Sequence, residues 1–81
     1  MRFSLRQLEI FVAIARQESV SSAAASLFLS QSAASMALTE LEKQFETQLF
    51  DRHGKRLVMN ERGQQLLPHC MDLLARALEI E

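Results

Sequence analysis

Apolar residues at Leu5, Leu8, Phe11, Val12 and Ala15 follow the three-and-four spacing of a helix with one face turned to a core. Ser4 precedes this run and Gln7 follows three residues later. These two side chains can cap a helix start reciprocally, so the pattern predicts a first helix over 5 to 17. Ser21 can cap a second, short helix through Ala24 and Leu27, and Ser30 can cap a third reaching about Phe45, with a tight turn near Leu29. On that third helix Ala34, Leu38, Leu41 and Phe45 fall within about 60° of one another, while Gln31, Ser32, Ser35, Met36, Thr39 and Lys43 spread over a separate arc of about 140°. One face packs and the other is offered outward.

Beyond Leu49 and Phe50 the stretch "DRHGKRLVM" puts Gly54 at a turn position and alternates toward Leu57 and Met59, the pattern of a small hairpin. Asn60 can cap a last helix, on which Leu66, Leu67, Cys70, Met71, Leu73, Leu74, Ala77 and Leu78 occupy an arc of about 160°. That stripe is wider than one contact within a single chain requires. Pro68 inside it removes a hydrogen bond to the carbonyl of Gln64, so a local bend is expected there. The chain stops at "EIE" without a glycine cap, as expected of a piece of a longer protein.

Eighty-one residues make one domain with a modest core, too small for a large catalytic cleft. The uncharged run from Ser19 to Thr39 holds seven serines and is too polar to span a bilayer, and no export signal opens the chain, so a cytoplasmic location is expected. One cysteine, Cys70, cannot form an internal disulfide. With only His53 and His69 beside it, no zinc ligand set is available, and no metal is expected. The net charge of −1 conceals a division, because residues 51 to 62 carry Arg52, Lys55, Arg56 and Arg62 against Asp51 and Glu61, whereas both flanks are net negative. The positive charge is concentrated in the hairpin segment.

Helix, short helix, tight turn and a helix with a polar outer face is the helix-turn-helix pattern, whose second helix enters the DNA major groove. Gln31 can pair with an adenine, Ser32, Ser35 and Thr39 can bond to bases or phosphates, and Met36 can touch a thymine methyl. These are neutral readers. The attraction for phosphate must come from Arg52, Lys55 and Arg56 downstream. Taken alone, a Ser/Gln/Thr stripe is more often a solvated helix face, and a lone cysteine on an apolar stripe is more often a packed thiol than a redox centre. His69 points about 100° away from Cys70, so a Cys/His catalytic pair is not supported.

In combination, "LRQLEIFVAIA", the paired alanines after "SVSS", "SQSAAS", "LTELE", "LFDR" and "MNERG" resemble the N-terminal winged helix-turn-helix and linker helix of LysR-type transcriptional regulators, over essentially the whole chain. The resemblance implies a mainly α fold in which residues 1–59 form a three-helix core with a β-hairpin wing and residues 60–81 a linker helix. It implies that Gln31, Ser32 and Ser35 face the major groove, that Lys55 at the wing tip meets the minor groove, and that Ser30, Arg52 and Arg56 lie near phosphate. The linker helix would pair antiparallel with its twin in a homodimer through Leu66, Leu67, Cys70, Met71, Leu74 and Leu78, with a tetramer expected for the full-length protein. No cofactor is implied in this part. A small-molecule effector would bind a C-terminal domain outside these residues, and the "SQSA" to "LTELE" run is also similar to a subgroup with members that respond to sulfite or related small anions. The chain departs from commoner members at Ser32, Met36 and Asn60, where proline, arginine and threonine are frequent, and Met36 removes a cation from the recognition helix.

The expected function is sequence-specific binding of double-stranded operator DNA without enzymatic activity. The rival is a small helical module that docks a protein partner and dimerises through its last helix. Salt separates them, since binding to DNA weakens steeply as ionic strength rises.

Overall fold

The computed structural model describes residues 2–81. Helix α1 spans Leu5–Gln17 and opens with the predicted reciprocal cap: the Gln7 amide donates to Ser4 Oγ at 3.1 Å and the Ser4 amide to Gln7 Oε1 at 3.0 Å. It ends at Glu18, which adopts the left-handed conformation with φ 55° and donates its N–H to the Ile14 carbonyl at 2.7 Å. Helix α2, Val20–Ser26, is capped by Ser19, whose Oγ accepts the Ser22 amide at 3.1 Å. The cap is therefore two residues earlier than the Ser21 expected from sequence. After a turn, α3 spans Gln31–Phe45 with Ser30 as its cap, accepting the Ala33 amide at 3.1 Å.

Strands β1 (Phe50–His53) and β2 (Arg56–Met59) pair antiparallel in the register Phe50 to Met59 through His53 to Arg56. The two residues between them are Gly54, at φ 62°, and Lys55. Helix α4 then runs from Glu61 to Ile80 as one element through Pro68, capped by Asn60 Oδ1, which accepts the Gly63 amide at 2.9 Å. The three helices, wing and long last helix are the architecture expected.

Leu8, Phe11 and Ile14 of α1, Ala23 and Ala24 of α2, and Ala34, Leu38 and Leu41 of α3 form a continuous core closed by Leu49 and Phe50. Alanines in the middle of α2 let this short helix lie close against its neighbours. The rings of Phe11 and Phe50 meet at 5.5 Å and 55°, which fastens the foot of the wing to α1. Glu42 adds a polar fastening, its Oε2 accepting the Leu49 amide at 2.8 Å. Helix α4 starts against that same foot: Gly63 is buried, the Asn60 amide donates to the Leu49 carbonyl at 3.0 Å, and Cys70 completes the core from the third turn of α4.

Candidate nucleic-acid interface

Capping by Ser30 and burial of Ala34, Leu38 and Leu41 fix the rotation of α3, and the opposite side faces solvent. Gln31, Ser32, Met36 and Thr39 are exposed and Ser35 is half-buried. Met36 is 69% exposed, so its side chain is not a packing element. The Ser30 hydroxyl serves the helix cap and stands 3.3 Å from the Ser32 hydroxyl.

Gln31 and Ser35 share an open cleft with Arg52 and Lys55 of the wing, walled on the far side by Ser19, Val20 and Ser21 and floored by Leu57. The structure thus brings two neutral hydrogen-bonding side chains of α3 together with two cations more than fifteen residues downstream. An adjoining hollow contains Ser35, Thr39, Glu42, Asp51 and Arg52. Thr39 thus shares its hollow with two carboxylates and Arg52, whereas Gln31 shares its cleft with two cations and no carboxylate. A polyanion is favoured more at the N-terminal half of α3 than further along it.

The cations divide by what holds them. Among the described residues Arg52 and Lys55 have no carboxylate within 4.0 Å. Arg56 does: its Nε donates to Glu18 Oε1 at 2.9 Å and its NH2 lies 2.8 Å from the same oxygen. The sequence places it near phosphate, and in the free chain it is paired with Glu18. Arg6 is likewise engaged, donating to the Leu27 carbonyl at 3.1 Å. Arg62 sits elsewhere, beside Phe45 and His69 in a groove between α3 and α4.

Ser19, Ser21 and Leu57 escaped the sequence reading as parts of this cleft. In the "SVSS" stretch Ser21 carries a capping signal, and Ser19 and Ser21 come beside Arg52, Lys55 and Leu57 only in the folded chain. Their hydroxyls stand 3.1 Å apart at the cleft wall.

The apolar stripe of α4 divides in the same way. Cys70, expected on a dimer face, is 2% exposed inside its own protomer, so it belongs to the core and leaves that face. Burial pushes its thiol pKa from 9.0 up to about 11. Leu66, Leu67 and Leu74 are half-buried against the same core, whereas Met71, Leu78 and Ile80 are exposed. No cluster of three or more potential metal-binding side chains occurs among the described residues, and no helix is long and apolar enough to cross a membrane.

Residues 5–64 match the family of bacterial regulatory helix-turn-helix proteins of the lysR type. Over all 81 residues the chain is 53% identical to the uncharacterized HTH-type transcriptional regulator YeiE of Escherichia coli K12, and it spans 28% of that relative's length. Among solved structures, Corynebacterium glutamicum OxyR superimposes with a TM-score of 0.93 at 34% identity, over 99% of this chain and 25% of that one. The protein chain of the CbnR_DBD-DNA complex superimposes with a TM-score of 0.90 at 25% identity, over 95% of this chain and 88% of that one. A winged helix-turn-helix with its third helix capped by Ser30, its wing cations sharing a cleft with the start of α2, and a family match across these same elements place the chain in the LysR family of bacterial helix-turn-helix transcriptional regulators.

Proposed function

We propose that this chain is the sequence-specific DNA-binding head and linker helix of a LysR-type regulator. The N-terminal half of α3 enters the major groove with Gln31, Ser32, Ser35 and Met36 toward base edges, and Thr39 stands at the far limit of the contact. Arg52 and Lys55 hold the backbone or reach the minor groove. The CbnR_DBD and BenM_DBD chains solved in complex with DNA have the same fold and support this reading. The carrying observation is the cleft itself, in which Gln31 and Ser35 stand beside the two wing cations that have no carboxylate partner among the described residues.

Exposed Met71 and Leu78 offer a second copy an apolar seam along α4, with half-buried Leu66, Leu67 and Leu74 at its inner edge. The chain spans about a quarter of the lengths of OxyR and YeiE, and the proposal assigns effector binding, tetramer formation and the choice between activation and repression to the remainder of a longer protein. On this reading the chain acts in the cytoplasm, binds DNA and turns over no substrate.

The test is binding to an operator fragment found by footprinting and to a random duplex. Gln31→Ala should lose roughly 5- to 150-fold of discrimination at one base pair, equivalent to about 1–3 kcal/mol, with nonspecific binding nearly unchanged. Lys55→Gln should weaken both duplexes and reduce the slope of log affinity against log salt by about 0.9. Binding that ignores salt and prefers a protein partner would replace this reading with the interaction-module one.

A further inference from the structure

Among the described residues the wing is a two-stranded hairpin with no third strand beside it. Such a ribbon is marginal alone, so its orientation depends on what it is tied to. Its foot is fastened by Phe50 in the core, but every side chain from Asp51 to Arg56 is exposed. Near the tip, beside the half-buried Leu57 side chain that packs against the core, the polar ties come from one residue, Glu18, at the end of α1. Its backbone carbonyl accepts the Leu57 amide at 3.0 Å, and its carboxylate receives Arg56 at 2.8 and 2.9 Å. Two adjacent residues of β2 are thus held by two groups of one residue. Glu18 is itself fixed, in the left-handed conformation at φ 55°, by the bond from its N–H to the Ile14 carbonyl.

We propose that Glu18 is the positioning residue of the wing: it latches β2 to the end of α1 and so sets the place at which Lys55 and Arg52 meet a phosphate relative to Gln31 and Ser35. The inference rests on the DNA-binding reading above. The alternative role for Arg56 is a third phosphate contact, with Glu18 as a carboxylate that merely competes for it. The two predict opposite signs. Removing a competing carboxylate near DNA strengthens binding, because one repulsion disappears and one cation is released. Removing a latch weakens operator binding even though a negative charge has gone, because the wing cations lose their register with the recognition helix. The ion pair is exposed on both sides, so it contributes little to folding, and its effect belongs in the geometry of binding rather than in melting.

The experiment measures binding of the 81-residue chain to a duplex that it has selected from a random pool, and to an unselected duplex of equal length, over a range of salt. The proteins are wild type, E18Q, R56Q and the swapped pair E18R/R56E, with a melting curve for each. E18Q keeps the backbone tie and loses only the ion pair. The latch predicts that E18Q and R56Q each weaken binding to the selected duplex by about 2- to 5-fold, the range open to an exposed ion pair, and that the swapped pair recovers most of it. It also predicts an unchanged salt slope in R56Q and little change for E18Q on the unselected duplex. Tighter binding of E18Q to both duplexes, together with a slope reduced by about 0.9 in R56Q, would overturn the latch and make Arg56 a phosphate contact. The wild type reports on the underlying reading separately: if it selects no duplex and its binding ignores salt, DNA binding fails, and the latch fails with it.

Discussion

Gly63 lies in the first turn of α4, where replacing glycine with alanine ordinarily favours a helix by up to about 1 kcal/mol. Here the opposite is expected. A Cβ at Gly63 would stand under 3.0 Å from the Leu49 carbonyl oxygen and 3.2 Å from both Cβ and Cγ of Met59. The methionine can turn, but the carbonyl belongs to the backbone and is pinned by the Asn60 amide at 3.0 Å. Relieving the clash means lifting α4 from the wing foot, at an overpacking cost of about 1–3 kcal/mol. Stretching the Leu49–Asn60 bond adds about 1 kcal/mol. Set against the helix-propensity gain, Gly63→Ala should destabilise by about 1–3 kcal/mol, lowering the melting temperature by roughly 5–20 °C in a domain of this size. The assay is thermal and urea unfolding followed by far-UV circular dichroism at one fixed protein concentration, since any self-association makes the midpoint depend on concentration. Gly54→Ala is the control. Nothing lies within 4 Å of its would-be Cβ, so only its φ of 62° opposes the change, at about 1–2 kcal/mol. A Gly63→Ala protein that melts at or above wild type would show that the joint between α4 and the wing foot has slack, and the packing argument would be refuted.

Phe28 is 96% exposed at φ 58° in the turn before α3, so Phe28→Gly relieves backbone strain and should stabilise the chain by about 0.5–1 kcal/mol after the entropy of glycine is subtracted. Phe28→Ala retains the strain; equal melting of the two variants would show that the backbone at Phe28 is not strained. For Cys70, a thiol reagent at pH 8 should label the chain only after unfolding, and labelling of the folded protein would place the thiol outside the core. Its folded pKa, about 11, lies above the ordinary 9.0, so the stability contributed by the uncharged thiol is full below pH 9 and is lost as pH rises toward 11. Unfolding free energies for wild type and Cys70→Ala across that window should converge as pH rises, and a constant difference would contradict the burial.

The helices were legible because their signals are local. Apolar spacing and the capping side chains at Ser4, Ser30 and Asn60 act within one turn, and each cap forms where the sequence puts it. The start of α2 was not legible in the same way. Ser19 and Ser21 carry the same capping chemistry, and the choice falls to Ser19 because Glu18 turns left-handed just before it, in a position tied to the wing by the Leu57 amide. That tie joins residues far apart in sequence. The same distance hid the state of Arg56, whose partner Glu18 lies 38 positions away, so its charge read as free. On α4 the hydrophobic arc showed that something packs but not how it divides. Only the approach of α1 sends Cys70 inward and leaves Leu78 outside. The cleft residues were legible where α3 alone displays them, as with Gln31 and Ser35, and illegible where folding of the wing brings in Ser19 and Ser21.

The buried seat of Gly63 makes α4 a stiff lever. Twenty residues give it a length of about 30 Å, seated at the foot of the wing, with an open hollow between its last turns and Leu5 and Glu9 of α1. A swing of about 10° about that seat carries Ile80 through roughly 5 Å, close to the pitch of one helical turn. Motion runs equally in the other direction. With no room at Gly63 to absorb a tilt, a displacement of the outer end of α4 presses on the Leu49 carbonyl and so on the foot of the wing, where Phe50 meets Phe11.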